Sequence, residues 1–240
     1  MVDKFLITGA NRGIVFEMSK QLALKNYFVV LGARSLDKGK DACAQLVQAG
    51  VPAERLDVVR LDLDDTNSIS AAFKQVKQKH PDLNYLINNA GIAGQMGKPA
   101  LETTAADYRQ TLETNFFGTL AVIQNFLPFL QQNHGKIAAI TGPFSATKWY
   151  NPAAYRVSKI ALNALLQTLA VDISNQKLPL SVFGIFPGGV STEINGYHQG
   201  SYMKDVATAA HDILKIILDG QDHNGQIIGA DGQVLSGISD

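Results

Sequence analysis

Short apolar runs rich in Val, Ile and Leu alternate with longer segments of helical periodicity from one end of the chain to the other. Strands buried on both faces of a parallel sheet read as continuous apolar runs, whereas the covering helices are apolar on one side only. The alternation therefore predicts an α/β fold with helices on both faces of a parallel sheet. The predicted strands lie at residues 4–8, 27–33, 58–63, 83–88, 136–141, 180–186 and 226–230.

The predicted helices fill the intervals between these strands. They lie near residues 14–26, 38–49, 66–79, 104–131, 153–175 and 204–219. Pro128 is expected to interrupt or end the helical region at 104–131. A length of 240 residues admits one large domain or two small ones, but no repeat or Pro- or Ser-rich linker divides the chain. We therefore predict one doubly wound domain of about seven strands over residues 1–240.

Charge and cysteine content restrict the possible partners. The 21 Lys and Arg residues balance 21 Asp and Glu residues, which argues against a nucleic-acid partner and against an anionic membrane surface. A hydrophobic share of 46% is sufficient for a buried core and excludes intrinsic disorder. The single cysteine, Cys43, excludes an internal disulfide and a thiolate zinc site, and no metal site is expected.

The beginning of the chain carries no pattern of a targeting segment. The first apolar run is short and ends at Thr8 and Gly9, so we expect neither a signal peptide nor an anchor. No later stretch reaches the roughly 18 apolar residues of a membrane span. We therefore expect a soluble, cytoplasmic protein.

The loop after the first strand contains two glycines at the start of a predicted helix. Gly9 and Gly13 allow the backbone to turn tightly and to approach a pyrophosphate at the amino terminus of the helix. The alternative is an ordinary glycine-containing turn between a strand and a helix. The predicted cofactor-binding residues of this loop are Gly9, Asn11, Arg12, Gly13 and Ile14.

Arg34 follows the second strand, where a dinucleotide-binding fold meets the adenosine ribose. An acidic residue at this position holds a ribose 2′-hydroxyl, whereas a guanidinium forms paired hydrogen bonds to a 2′-phosphate. Arg34 together with Arg12 therefore favours NADP(H), with NAD(H) still possible. Taken singly, each arginine could also be an ordinary solvated surface residue.

The ends of the third and fourth strands carry small, amide and acidic residues. Asp62 and Leu63 end the third, and Asn88, Asn89, Ala90 and Gly91 follow the fourth. These residues suit an adenine edge and a dinucleotide lying across the sheet, although Asn and Gly are also common in turns.

Tyr155 and Lys159 lie four residues apart at the start of the longest predicted helix. This spacing places both side chains on one helical face. A nearby ammonium favours the phenolate, so the pKa of the tyrosine is expected to fall from about 10 towards neutrality, as a general acid/base requires. The alternative is a chance pairing on a helix surface.

Taken in order, five motifs of the chain resemble the short-chain dehydrogenase/reductase family. They are T-G-x-x-x-G at 8–13, N-N-A-G at 88–91, T-N-F-F-G at 114–118, Y-x-x-x-K at 155–159 and P-G-G-V-S-T at 187–192. The resemblance extends from Lys4 to about Gly232 and implies a Rossmann-type domain. The segment G-A-D-G-Q-V at 229–234 resembles the small carbonyl-reductase-like branch, which includes the bacterial C-factor signalling proteins.

The resemblance implies a role for each matching residue. Tyr155 would exchange a proton with the substrate oxygen, and Lys159 would lower the pKa of Tyr155 and hold the nicotinamide ribose. Asn115 would support a water that links Lys159 to solvent, or it is a polar residue that kinks a helix. Further residues at the strand ends would line the cofactor: Asp62, Leu63, Asn88, Asn89, Ala90, Gly91, Pro187, Gly188, Val190 and Thr192.

Two positions depart from the family pattern. Val15 replaces a third glycine, so the first helix is either pushed outward or accommodated by its neighbours. Gly142 stands where the family has its catalytic serine, and the loss of one such hydrogen-bond donor costs about 10²–10³ in rate. Thr141 is expected to point to the other side of the strand. Ser145 could replace the serine if residues 142–150 fold back, or it is only a polar loop residue.

The leading prediction is therefore an NADP-preferring oxidoreductase that interconverts a small carbonyl compound and its alcohol, slowed by the glycine at position 142. The alternative is a dinucleotide-binding signalling or regulatory protein of the C-factor type with little or no turnover. The substrate pocket is expected between residues 142–151, which include Trp149, and residues 193–203. The resemblance also implies a homodimer or homotetramer formed through helices near 104–131 and 153–175.

Overall fold

The computed structural model describes residues 2–142, 144, 152–197 and 199–238. Ten strands lie in the described chain: β1 (Lys4–Thr8), β2 (Phe28–Ala33), β3 (Leu56–Arg60), β4 (Tyr85–Asn88), β5 (Lys136–Ile140), β6 (Ser181–Phe186), β7 (Gly189–Val190), β8 (Met203–Lys204), β9 (Ile227–Gly229) and β10 (Val234–Ser236). The α-helices are α1 (Gly13–Leu24), α2 (Leu36–Gln48), α3 (Thr66–Lys79), α4 (Ala105–Leu112), α5 (Thr119–Gln132), α6 (Ala153–Asn175) and α7 (Val206–Ile217).

Eight strands form one sheet in the order β10-β9-β6-β5-β4-β1-β2-β3, and all neighbours are parallel except β10, which is antiparallel to β9. The chain runs outward from β1 through β2 to β3 and then crosses to β4 on the other side of β1. This reversal creates a crevice at the carboxyl ends of β1 and β4. In open parallel sheets, ligands bind at such a crevice.

Two apolar layers cover the sheet, as the alternation of the sequence predicts. Helices α1, α2 and α7 pack on one face, around Phe5 and Phe183, and α3, α5 and α6 pack on the other, around Phe126. Val15 is 1% exposed and belongs to the first of these layers, so the residue that replaces the family's third glycine is accommodated within the core. The fold is a single α/β Rossmann-type domain.

The structure corrects several element boundaries. β3 ends at Arg60 instead of residue 63, because the chain leaves the sheet after the Leu61 N–H bonds the Ala33 carbonyl at 2.9 Å. Pro128 lies inside α5 and does not end it. Pro128 is exposed, so water can satisfy the carbonyl that loses its donor there. The strands β7, β8 and β10 were not predicted, since two or three residues carry no readable periodicity.

The predicted helical region near 104–131 consists of α4, a π-helical segment at Glu113–Gly118, and α5. Such π-helical turns are rare in proteins, but those that occur are often found at functional sites. None of the helices in the described ranges is both long and apolar enough to cross a bilayer.

Candidate active site

The loop between β1 and α1 has the backbone that an approaching phosphate requires. Gly9 and Gly13 adopt left-handed φ angles of +72° and +63°. A β-carbon at Gly9 would lie 3.0 Å from the Cα atom of Ala90, so a larger residue does not fit. Arg12, the N-cap residue of α1, makes no capping hydrogen bond with its side chain. The first N–H groups of α1 and the positive end of the helix dipole therefore remain available to an anion.

Thr8 joins the ends of the two central strands. Its buried Oγ1 accepts hydrogen bonds from the N–H groups of Asn89 at 3.0 Å and Ala90 at 3.1 Å. The two predicted cofactor loops are therefore held together across the crevice by one hydroxyl.

Asn88 at the end of β4 is 3% exposed, yet neither Oδ1 nor Nδ2 has a hydrogen-bond partner in the part of the chain that the structure describes. A buried amide left in this state costs about 1–3 kcal/mol for each group. A polar ligand or water in the crevice would satisfy it. The glycine loop and this unsatisfied side chain are both compatible with a dinucleotide in the crevice.

The two predicted phosphate-binding arginines differ in whether they form an ion pair. Arg34 is exposed directly after β2 and has no ion-pair partner among the described residues. Arg12 precedes α1, and its Nη1 forms an ion pair with Oε2 of Glu193. Asn11 and Ile14 lie half-buried on either side of the Arg12–Gly13 turn.

Asp62 and Leu63 follow the end of β3. The Asp62 N–H bonds Ser68 Oγ at 3.1 Å, and its carboxylate lies 3.8 Å from Arg60. Leu63 is buried, and its carbonyl oxygen would lie 2.6 Å from a β-carbon at Gly118. Leu63 therefore packs against the π-helical segment as well as bordering the crevice.

Asn115 lies in the π-helical segment and connects three parts of the site. Its Oδ1 accepts from the Ile92 N–H at 2.8 Å, and its Nδ2 donates to the Ile92 carbonyl at 3.0 Å and to Ser158 Oγ at 3.0 Å. A β-carbon at Gly91 would lie 2.8 Å from Asn115 Oδ1. The asparagine thus joins the loop after β4 to α6.

Tyr155 and Lys159 face the same region from the first turns of α6. The Lys159 ammonium lies 5.6 Å from the centroid of the Tyr155 ring and donates to the Ile140 carbonyl at 2.7 Å. Ser158 Oγ donates to the Tyr155 carbonyl at 2.7 Å. Lys159 is 4% exposed, and its burial lowers its pKa from 10.5 to about 8. A cation beside the phenol favours the phenolate.

Gly142 follows β5 and packs against Lys159. A β-carbon at position 142 would lie 2.9 Å from Lys159 Cβ, and Asn163 Nδ2 donates to the Gly142 carbonyl at 3.4 Å. Thr141 is buried, and its Cγ2 would lie 2.9 Å from a β-carbon at Gly184. The proposed substitute Ser145 lies outside the described residues, as do Trp149 and Tyr150.

The segment after β6 lies over the start of α1. Gly188 has a φ of +78°, and Val190 in β7 pairs with Lys204 in β8. The Thr192 methyl would lie 4.0 Å from a β-carbon at Gly13. The predicted residues Pro187, Gly188, Val190 and Thr192 therefore belong to a segment that reaches the glycine loop.

Sequence reasoning missed three contributors to this site. Ser158 lies inside the Y-x-x-x-K motif, which is the signal that could have found it. The backbone of Ile92 and the ion pair of Glu193 with Arg12 had no such signal, because the partners are 23 and 181 residues apart. Glu193 was expected only as part of the segment 193–203 at the substrate pocket.

The family model for short chain dehydrogenases matches residues 3–201. The chain belongs to this family. The short-chain dehydrogenase anuI of Penicillium roqueforti is 32% identical over 232 residues, which is 90% of this chain and 88% of that protein. The NADPH carbonyl reductase 3 of Mus musculus is 38% identical over 137 residues, which is 57% of this chain and 47% of that protein. The match thus spans about half the length of this second relative.

The fold also matches a solved carbonyl reductase. The NADPH-bound carbonyl reductase from chicken fatty liver has a TM-score of 0.86 and 27% identity, over 98% of this chain and 99% of that chain. With the site described above, these similarities define the chain as an oxidoreductase of the short-chain dehydrogenase family that is carbonyl-reductase-like.

Proposed function

We propose that this protein is an NADPH-preferring oxidoreductase that interconverts a small carbonyl compound and its alcohol. The observation that carries the proposal is the buried Lys159 ammonium, 5.6 Å from the centroid of the Tyr155 ring. A cation therefore lies beside a phenol on one helix face, next to the end of β5.

Three residues of the chain have separate roles in the proposed reaction. Tyr155 donates its phenolic proton to the substrate oxygen in the reductive direction and takes it back in the oxidative direction. Lys159 stabilises the phenolate that this transfer leaves. Asn115 holds the loop after β4 against α6 through Ile92 and Ser158, and so positions the first turn of α6.

The cofactor site supports NADPH in particular. Gly9, Gly13 and the uncapped start of α1 would hold the pyrophosphate, and Asn88 and Ala90 would border the dinucleotide. Arg34, exposed after β2 without an ion-pair partner among the described residues, would hold a 2′-phosphate. When bound, NADPH would supply the hydride that reduces the carbonyl carbon.

The catalytic proposal is tested by NADPH oxidation over a panel of aldehydes, ketones and diketones with the wild type and Tyr155→Phe. We expect turnover by the wild type and a loss of at least about 10²-fold in Tyr155→Phe, with unchanged NADPH affinity. Tyr27→Phe is the matched control, because Tyr27 lies at the amino end of β2, away from the carboxyl ends of the strands. A wild type no faster than Tyr155→Phe, with NADPH still bound, would contradict the enzyme proposal.

The cofactor proposal is tested by titrating NADPH and NADH against the wild type and Arg34→Ala. We expect Arg34→Ala to weaken NADPH binding about tenfold and to leave NADH binding nearly unchanged. Arg55→Ala controls for the lost charge, because Arg55 lies at the amino end of β3, away from the carboxyl ends of the strands. Equal preference in the wild type and Arg34→Ala would remove Arg34 from the 2′-phosphate site.

A second candidate function is a nucleotide-binding regulatory protein with little turnover. The packing of Gly142 against Lys159 favours it, because position 142 can supply no hydroxyl to a substrate oxygen. The same Tyr155→Phe comparison separates the two functions, since only an enzyme loses turnover.

A further inference from the structure

Glu193 holds one of the two arginines proposed to select NADPH. Its Oε2 pairs with Nη1 of Arg12 across 181 residues of sequence, whereas Arg34 has no ion-pair partner among the described residues. A 2′-phosphate would therefore have to compete with Glu193 for Arg12, but not with any described carboxylate for Arg34.

The backbone that carries Glu193 is held firmly in place. Glu193 begins a short 3₁₀ helix, Glu193–Asn195, which Thr192 precedes as its cap. The Thr192 N–H donates to Asn195 Oδ1 at 3.1 Å, and Asn195 Nδ2 donates to the Val190 carbonyl at 2.9 Å. The carboxylate is thus presented to the start of α1 by a bonded turn.

A carboxylate at this position opposes phosphate binding in two ways. It occupies donors of the Arg12 guanidinium, and it adds a negative charge beside the crevice where a phosphate must bind. The Arg12 and Glu193 side chains are 64% and 56% exposed, so solvent screens their attraction. A phosphate group, which carries more charge than a carboxylate, can replace Glu193 at Arg12.

We propose that Glu193 is a specificity-determining residue that holds Arg12 away from the 2′-phosphate and thereby limits the preference for NADPH over NADH. The inference rests on the proposed function. Binding of the 2′-phosphate exchanges the Arg12–Glu193 contact for an Arg12–phosphate contact. Removing the Glu193 charge therefore strengthens binding of 2′-phosphorylated nucleotides selectively.

The experiment compares the calorimetric dissociation constants of 2′,5′-ADP and 5′-AMP. The proteins are the wild type, Glu193→Gln, Arg12→Ala, the Glu193→Gln/Arg12→Ala double variant and Arg34→Ala. We expect Glu193→Gln to bind 2′,5′-ADP about two- to fivefold more tightly, with no comparable gain for 5′-AMP. We expect the gain to vanish when Arg12 is also replaced. Glu17→Gln on α1 is the charge-matched control, since Glu17 contacts Lys20 and Gln21 and not Arg12.

Three results would overturn the inference: no gain in Glu193→Gln, an equal gain for both nucleotides, or a gain that persists without Arg12. If the wild type still prefers 2′,5′-ADP, only the role of Glu193 fails. If the wild type binds 2′,5′-ADP no more tightly than 5′-AMP and Arg34→Ala changes neither, the proposed NADPH preference fails as well. Thermal unfolding verifies that each variant is folded.

Discussion

Gly142 and Lys159 pack so closely that a β-carbon at position 142 would lie 2.9 Å from Lys159 Cβ and 3.1 Å from Lys159 Cγ. The lysine has little room to retreat, because it is buried and its ammonium is bonded to the Ile140 carbonyl at 2.7 Å. Lys159 therefore occupies space that a serine side chain at position 142 would need.

The first prediction is that Gly142→Ser does not restore a missing catalytic group. Its β-carbon displaces Lys159, so we expect a loss of about 1–3 kcal/mol in the free energy of unfolding and carbonyl reduction no faster than in the wild type. Urea unfolding and initial rates measure the two effects. Gly142→Ala is the control, because it adds the same β-carbon without the hydroxyl. A tenfold higher kcat in Gly142→Ser than in both other proteins would disprove the prediction.

The second prediction concerns Asn115. Asn115→Ala leaves the N–H and carbonyl of Ile92 without their side-chain partner and removes a donor to Ser158. We expect a loss of about 2–4 kcal/mol in the free energy of unfolding, together with a fall in carbonyl reduction. Asn125→Ala is the control, since Asn125 Nδ2 donates to the Ala121 carbonyl of its own helix and Oδ1 accepts only a long hydrogen bond from Ser70 Oγ at 3.5 Å. It should cost less than about 1 kcal/mol. Equal losses in the two variants would contradict a connecting role for Asn115.

The third prediction follows from the lowered pKa of Lys159, which burial brings from 10.5 to about 8. Between about pH 8 and pH 10.5 the unfolded chain keeps a proton that the folded protein has released, so stability rises with pH in this window. Below about pH 8 both states are protonated, so stability no longer changes with pH and the folded protein bears the full cost of burying the charged ammonium.

Lys159→Met removes this dependence. We expect the unfolding free energy of the wild type minus that of Lys159→Met to increase by about 3 kcal/mol across the window. Lys74→Met, at an exposed position of α3, should track the wild type. Chemical unfolding of the cofactor-free proteins at several pH values provides the measurement, and parallel curves for the wild type and Lys159→Met would be the contrary result.

The fourth prediction concerns Asp107 in the first turn of α4. Its carboxylate accepts from the Lys98 ammonium at 2.6 Å and from the Thr104 N–H and hydroxyl, and these bonds lower its pKa from 3.8 to about 2. The stabilisation is present above about pH 4, where the unfolded carboxyl is ionised, and is lost as the pH falls through about 2.

Asp107→Asn should therefore melt at a lower temperature than the wild type at pH 7 and at nearly the same temperature at pH 2. Thermal unfolding measured by circular dichroism makes the comparison. Asp41→Asn is the control, because the Asp41 side chain on α2 is exposed and has no hydrogen bond or ion pair within the described ranges. The prediction is wrong if the difference between wild type and Asp107→Asn does not shrink at low pH.

The sequence predicted the long elements well and the short ones poorly. Helix α6 occupies residues 153–175 and α3 occupies 66–79, as their apolar periodicity indicated. Periodicity is readable over such lengths, and Asp65 marks the start of α3 by accepting hydrogen bonds from Asn67 and Ser68. The edge strand β10 has only three residues, too few for a readable periodicity, and it is recognised only by its pairing with β9.

The candidate site divides in the same way. The glycine loop, Tyr155 and Lys159 could be identified from sequence because each needs a local feature: a left-handed backbone, or two side chains one helical turn apart. The bonds of Asn115 to Ile92 and Ser158 could not, because they join segments that meet only when the sheet forms.

The sequence by itself determined the layered α/β fold and the placement of Tyr155 and Lys159 on one helical face, since these depend on local periodicity and spacing. Only the tertiary structure decided that Lys159 fills the space beside Gly142 and that Glu193 holds Arg12. Both relationships are distances between residues remote in the chain, and such distances are set by how the helices pack on the sheet.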